Sequence, residues 1–261
     1  MAAGHWRGTE EEWLGDWLLR AAEGFTGRAN SALPLGDPGL PPDAAVAAVT
    51  EWYRARGLPP MIAVPTPGTP DSPGLSSSPD QVLSPGEALD RDLARRGWPV
   101  RSSPAFVMLA GLPLDGQRFG GTGRGLADGR AVAVSRAPDD AWAARYHYRG
   151  QDHLPPIARK VLTSAEDQAF VSIREGGEVL AIARLSLAGG WAGLTAVEVN
   201  PGYRRQGLGA AITAAACEQA ARCGLTRVFL QVEVDNNAAQ ALYRGLGFRY
   251  SHRYHYRVAP A

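Results

Sequence analysis

One segment constrains this chain more than any other: Val197-Glu198-Val199-Asn200-Pro201-Gly202-Tyr203-Arg204-Arg205-Gln206-Gly207-Leu208-Gly209-Ala210. Alternating apolar residues lead into a loop with two arginines, then two glycines, then a helix-forming run over 207–223. That run places Leu208, Ile212 and Ala215 on one face and ends at Gly224. A strand feeding a helix that feeds another strand predicts an α/β fold with right-handed crossovers and a largely central mixed sheet. The turn also implies chemistry. A helix N-terminus offers unpaired N–H groups and about half a positive charge. Gly207 and Gly209 let the backbone approach a ligand with no Cβ in the way, and Arg204 and Arg205 add charge from the rim. A pyrophosphate fits that description.

A dinucleotide-binding unit is the rival. Gly207-x-Gly209-x-x-Ile212 follows a strand and opens a helix, and Glu233 and Asp235 lie where a ribose-binding acid would sit. Its third position is Ile212, however, where close helix–strand packing wants Gly or Ala, and the two arginines have no role in that fingerprint. A second glycine-rich stretch, Gly120-Gly121-Thr122-Gly123-Arg124-Gly125, has no convincing helix start behind it and reads as a linker.

The rest of the chain divides around these features. Residues 1–110 form a first half, with strands over 17–20, 28–35, 61–64 and 105–109 and helices over 41–56 and 87–96. A Pro/Ser/Gly-rich insertion over 65–86 reads as disordered. Residues 111–127 form the linker. Residues 128–261 hold strands over 130–135, 169–174, 178–187, 194–199, 227–234 and 248–258, with Gly176-Gly177 as a hairpin turn. Short helices span 139–148 and 155–162, and a further helix over 237–244 is closed by Gly245.

Arg204-x-x-Gly207-x-Gly209 resembles the acetyl-CoA motif of the GNAT superfamily of N-acetyltransferases. Asn236-x-x-Ala239-x-x-Leu242-Tyr243-x-x-Leu246-Gly247-Phe248 resembles that superfamily's second signature, and the two occur in order, one helix and one strand apart. The resemblance implies a GNAT (acyl-CoA N-acyltransferase) fold in the C-terminal half and acetyl-CoA as cosubstrate, with no metal. It implies that Val197 and Val199 offer backbone groups to the pantetheine arm. It further implies that Arg204, Arg205, Gln206, Gly207, Leu208, Gly209 and Ala210 hold the pyrophosphate, that Asn236 contacts the coenzyme, and that Tyr243 faces the thioester sulfur. The whole chain also resembles a group of actinobacterial N-acetylglutamate synthase-like GNAT proteins. That likeness rests on Trp17-Leu18-Leu19-Arg20, Gly24-Phe25-Thr26-Gly27-Arg28-Ala29-Asn30-Ser31, Leu230-Gln231-Val232-Glu233 and His252-x-Tyr254-His255-Tyr256-Arg257.

Such a reaction needs a base, because alkyl amines titrate near ~10 and are protonated at neutral pH. Gln231 stands where some related enzymes carry glutamate, and an amide is no base. Glu198 and Glu233 remain, with a water-relayed proton as the alternative. Strict alternation turns Glu198 away from the face of Val197 and Val199, unless a β-bulge re-aims it. The backbone N–H of Val199 is the candidate donor to the thioester oxygen, and Tyr243 the candidate acid for the leaving thiolate. Trp142, Tyr146 and Tyr148 are candidates to wall the acceptor site, and an arginine of the last strand to hold a substrate carboxylate.

The first half repeats the order of the second. Leu93-x-x-Arg96-Gly97-Trp98 echoes the run Leu242 to Phe248, but the loop Gly36-Asp37-Pro38-Gly39-Leu40-Pro41-Pro42 has no arginine and carries prolines that lack N–H donors. A degenerate GNAT-like half is expected there, without pyrophosphate binding.

A net charge of +1 leaves no electrostatic footprint for nucleic acid or an anionic membrane. No apolar run is long enough to span a bilayer, and Glu10, Glu11 and Glu12 argue against a signal peptide, so a cytoplasmic protein is expected. Cys217 and Cys223 are expected to be reduced packing residues. The expected partner is a small-molecule amine, an amino acid such as glutamate being one candidate. A protein or peptide amine and a non-catalytic acyl-CoA sensor are the alternatives.

Overall fold

The computed structural model describes residues 3–68, 83–101, 104–114, 126, 129–146 and 154–260. Contacts divide the chain into two compact units. Met1–His5, Met108–Gln231 and Asn236–Arg249 form the first, and Trp6–Val107, Val232–Asp235 and Tyr250–Ala261 form the second. Among the described residues no helix is long and apolar enough to cross a membrane.

In the second unit, Glu10–Leu14 (β1) and Trp17–Ala21 (β2) pair as an antiparallel hairpin with Leu14 opposite Trp17. Gly15 makes the turn at φ 53, and a Cβ there would meet the Pro38 carbonyl carbon at 2.3 Å. The sequence reading missed β1 because its glutamates hide the alternation. The Gly15-Asp16 link between two apolar residues is the signal that marks it. The strand expected over 28–35 needs correction. Gly27–Ala29 is a 3-10 turn, and only Leu33–Pro34 (β3) pairs with β2. Asn30 is the reason. Its buried side chain accepts from the N–H groups of Ala22 and Gly24 (2.7 and 2.9 Å) and donates to the carbonyls of Phe25 and Thr26 (2.6 and 2.9 Å), which curls the chain back on itself.

Pro42–Arg54 (α1) follows, with Pro42 and Asp43 in its first turn and Val46, Val49, Trp52 and Tyr53 all buried. Met61–Thr66 (β4) runs parallel to the residue just ahead of β3, the main chain of Ala32 bonding to Met61 and Ala63 at 2.9 Å each. Pro85–Arg95 (α2) opens with a capping box between Ser84 and Glu87. The insertion expected over 65–86 is therefore shorter: Pro65 and Thr66 belong to β4, and Ser84 to Gly86 start α2. Residues 69–82 lie outside the described residues. Arg249–Val258 (β11) pairs antiparallel with β4, Tyr254 opposite Pro65. Leu19, Val49, Tyr53, Ile62, Val64 and Leu93 belong to one apolar core drawn from β2, α1, β4 and α2.

Ala105–Gly111 (β5) and Arg227–Glu233 (β10) each have residues in both units. Gly111, expected in the linker, ends β5, and Leu112 N–H donates to Thr226 O at 2.8 Å. The linker residues 115–125, 127 and 128, which include the second glycine-rich stretch, lie outside the described residues.

In the first unit the remaining strands are Arg130–Ser135 (β6), Asp167–Glu175 (β7), Glu178–Ala188 (β8) and Trp191–Val199 (β9). They stand in the order β10-β9-β8-β7-β6, parallel between β10 and β9 and antiparallel elsewhere. Gly176 and Gly177, at φ 55 and 89, form the expected hairpin turn. Asp140–Arg145 (α3) is capped by Asp139 and is shorter than expected, and Tyr148 lies outside the described residues. Pro156–Leu162 (α4) follows. Leu208–Arg222 (α5) packs on β7, β8 and β9, and Asn237–Gly245 (α6) packs on α5. Gly245, the expected stop of α6, is its last residue, and Gly247 at φ 94 turns the chain away instead. Cys217 is buried and Cys223 exposed, so only the first is a packing residue.

Fully buried Arg184 of β8 ties this unit together. It donates to Leu162 O at 2.6 Å and to His5 O at 3.0 Å. The His5 ring lies 3.0 Å from Ser186 Oγ, which itself donates to Gly193 O at 3.1 Å. Ser186 therefore accepts from His5 Nδ1–H, and burial, which lowers the His5 pKa to about 4, favours the neutral ring.

Candidate active site

The middle of the first unit is opened by two defects in its sheet. The ladder of β9 with β10 pairs Ala192, Gly193 and Leu194 with Val228, Phe229 and Leu230, and there it stops among the described residues. β9 continues to Val199. The second defect is a β-bulge. Arg184 of β8 faces Thr195 and Ile182 faces Glu198, so two steps on β8 oppose three on β9, and Ala196 takes the extra residue at φ 51. Strict alternation breaks at Ala196, but the bulge precedes Val197, so Glu198 still alternates with Val197 and Val199. Beyond it, Asn200 N–H donates to Leu180 O at 2.8 Å. By the alternation of the strand, Val199 and Val197 then direct their N–H and C=O groups away from β8, to the side from which β10 has departed.

The loop that follows is pinned from one side. Glu178, at the start of β8, accepts from Asn200 Nδ2 at 2.9 Å and from Tyr203 OH at 3.0 Å, and the Asn200 side chain accepts from Gly202 N–H at 3.1 Å. Arg130 reaches over from β6 to donate to Gln206 Oε1 at 2.9 Å while pairing with Glu175. Sequence reasoning found neither Glu178 nor Arg130, since both come from strands remote in sequence. Arg205 and Gly207 occupy left-handed backbone, at φ 65 and 78. Arg204, Arg205, Gln206 and Gly207 are exposed. Gly207 caps α5 without a side chain, and the first helical bond runs from Ala211 N–H to Gly207 O at 3.0 Å. The N–H groups of Leu208, Gly209 and Ala210 thus make the uncapped first turn of α5. A Cβ on Gly209 would meet Leu242 Cδ1 at 2.8 Å, so glycine there lets α6 approach α5.

Tyr243 lies on α6, 8% exposed, its ring tilted on Phe248 at 5.8 Å. Burial, with Cys217 nearby, pushes its phenol up to about 12. Asn236 caps α6: its Oδ1 accepts from Ala239 N–H at 3.1 Å, a structural duty for a residue that the motif alone assigns to coenzyme contact. Val197, Glu198, Val199, the residues 204–210, Asn236 and Tyr243 all belong to the first unit, and Glu198 is half-buried. Glu233 is exposed and belongs to the second unit.

Two candidate acceptor-site groups fall elsewhere. Trp142 is a core residue, 1% exposed, donating to Val171 O at 3.1 Å and meeting Phe170 edge-on. Arg257 is engaged within the second unit, bonded through two nitrogens to Asp90 and donating to Trp98 O at 2.7 Å.

A parted strand pair, a helix N-terminus with left-handed residues before it and a protonated buried phenol suit a ligand with a diphosphate and a thioester-bearing arm. Comparison with known proteins finds acetyltransferases. A sequence model described as "Acetyltransferase (GNAT) family" matches residues 135–248, and one described as "Probable histone acetyltransferase Rv0428c C-terminal" matches residues 1–104. The chain is 30% identical to "Probable histone acetyltransferase Rv0428c" of Mycobacterium tuberculosis, over 100% of its own length and 72% of that protein's. Its fold resembles a GCN5-related N-acetyltransferase from Kribbella flavida, with TM-score 0.67 and 20% identity over 97% of this chain and 90% of that one. It also resembles a tandem GNAT protein from the clavulanic acid biosynthesis pathway, with TM-score 0.61 and 17% identity over 88% of this chain and 76% of that one.

Proposed function

Because the chain belongs to the acetyltransferase (GNAT) family, we propose that it moves an acetyl group from acetyl-CoA to the primary amine of a small molecule, with an amino acid such as glutamate as the named candidate. The observation that carries the coenzyme assignment is the parting of β9 from β10 beside an uncapped α5. The backbone of Val197 and Val199 receives the pantetheine amides. The turn from Arg204 to Ala210 receives the diphosphate. Glu198 takes the proton from the incoming ammonium, with Glu233 the alternative base. Val199 N–H meets the negative charge that develops on the thioester oxygen. Tyr243 supplies the proton that the departing thiolate needs. Burial raises this phenol to about 12, so it is protonated before transfer and is a weaker acid than an exposed tyrosine; its place on α6 in the first unit, not its acidity, is what supports the role.

The ground for an amino-acid acceptor is the sequence resemblance alone, read from segments such as Trp17-Leu18-Leu19-Arg20 and His252-x-Tyr254-His255-Tyr256-Arg257. A second reading, a protein or peptide amine, is favoured by the name of the Mycobacterium tuberculosis relative. Residues 1–110 are read as the half that supports the catalytic one. The test is acetyl-CoA turnover against matched panels of free amino acids, other small amines and peptides. Loss of turnover in Glu198→Gln but not Glu233→Gln is expected, and the reverse result would reassign the base. Turnover confined to peptides would displace the small-molecule reading.

A further inference from the structure

The second unit holds a cavity of about 250 Å³ that none of the chemistry above uses. β4 contributes Thr66, α2 contributes Glu87, Asp90 and Arg91, and β11 contributes Arg253 and His255. The pleat of β11 sets Arg253, His255 and Arg257 on one face, and α2 brings Asp90 to that face. Asp90 is already engaged: its Oδ1 accepts from His255 Nε2 and from Arg257 Nε, each at 2.6 Å. Burial works to raise this carboxyl, and the hydrogen bonds from Arg257 and His255 outweigh it and hold it below the usual range. Glu87 is also engaged in part, since its Oε2 takes both the N–H and the hydroxyl of Ser84 (2.9 and 2.7 Å).

The two remaining guanidiniums are different. Arg253 donates to the Thr66 hydroxyl at 3.3 Å, and among the described residues neither it nor Arg91 has a carboxylate at ion-pair distance. Two cations thus line a concavity in which Asp90 is bonded to His255 and Arg257, and Glu87, bonded to Ser84, lies within the field of both arginines but not at ion-pair distance. A carboxylate from outside would meet planar N–H donors from both arginines. Glu87 Oε1 takes no part in the Ser84 bonds and is the anionic acceptor for an ammonium group. Pro67 and Leu83 supply an apolar wall for a short side chain. The volume is below the ~300–1,000 Å³ of drug-sized pockets and suits a small ligand.

We propose that this cavity binds a free amino acid, carboxylate toward Arg91 and Arg253 and ammonium toward Glu87. The half that lacks the diphosphate turn would then keep a ligand site of its own. The test is calorimetry on the full chain with a panel of free amino acids, each beside its amine lacking the carboxylate and its acid lacking the amine. At least one amino acid should bind, its two partial analogues at least tenfold more weakly. Arg91→Ala, at an exposed side chain, should weaken that binding at least tenfold while acetyl-CoA binding is unchanged. Arg253→Ala should weaken it further; should that variant fail to fold, Arg91→Ala decides alone. Incubation with acetyl-CoA then separates the two sources of such a ligand. A compound recovered intact is an effector; one recovered acetylated has reached the first unit's catalytic site, and it supports the cavity if Arg91→Ala weakens its binding and counts against the cavity if it does not. Absence of binding across the panel, or binding indifferent to Arg91→Ala, overturns it.

Discussion

Each unit carries an extended segment, a loop, a helix and a strand that runs parallel to that segment, through a ladder in the first unit and a single bridge in the second, yet the two loops are chemically opposite. In the first unit Leu194 of β9 lies opposite Leu230 of β10, and the loop between them ends in an uncapped helix start with left-handed Arg205 and Gly207. In the second unit Ala32 lies opposite Ile62, and the loop ends in Pro41 and Pro42, which have no N–H to offer. The helices that follow end alike. Phe248 N–H donates to Tyr243 O and Gly247 N–H to Arg244 O; Trp98 N–H donates to Leu93 O and Gly97 N–H to Ala94 O, all at 3.0 Å. Matching the two ends sets Leu93, fully buried, where Tyr243 stands. The lesson is that the backbone plan and its buried anchors are separable from the donors and the phenol. Packing maintains the first; only chemistry requires the second.

Four experiments bear on that contrast. The largest effect is expected at the phenol. Tyr243→Phe should lower kcat about 10²–10⁴-fold with acetyl-CoA affinity retained. A phenol raised to about 12 stays protonated until the pH rises through that value, so the wild-type rate should climb with pH and hold level past the ordinary tyrosine pKa of about 10. A fall near pH 9 that Tyr243→Phe abolishes would contradict this. Next comes the turn. Gly207→Val forces a β-branched residue to φ 78 and should weaken acetyl-CoA binding by at least tenfold in calorimetry. The same assay on the second unit's loop, through Pro41→Ala, should register no change.

Restoring the missing phenol is expected to do less. Leu93→Tyr overfills a closed core and should cost about 1–3 kcal/mol in denaturant unfolding without adding turnover. Any rate gain would mean that the second unit is not catalytically silent. The smallest effect concerns His5. Burial lowers its pKa to about 4, so the folded chain holds it neutral while the unfolded chain protonates it near the ordinary 6.5. Stability should therefore decline as pH falls from about 6.5 toward about 4, and the decline should be shallower in His5→Gln. Identical pH curves for the two proteins would show that the His5–Ser186 contact is not coupled to folding.

Much of the first unit was legible because its signals are local. The helix stripe of Leu208, Ile212 and Ala215, the hairpin at Gly176-Gly177 and the glycines of the turn need only neighbouring residues to be read. Where the reading erred, a distant or polar contact had overridden the pattern. Asn30 curled a segment that looked like a strand, and glutamates hid the alternation of β1. Trp142, an aromatic that looked fit for a pocket, fills the core because Val171 and Phe170, far along the chain, receive it.

The sequence by itself determined that a strand would deliver backbone amides to a helix start without a side-chain cap, with a tyrosine on a later helix. Spacing within short segments settles those features. Tertiary structure alone decided that β9 bulges at Ala196, that Glu178 and Arg130 brace the turn, and that β11 joins the unit built mostly from the chain's first part. Strand pairing is the physical reason: register and partner are chosen between residues far apart in the chain, and the side chains nearest in sequence carry no record of that choice.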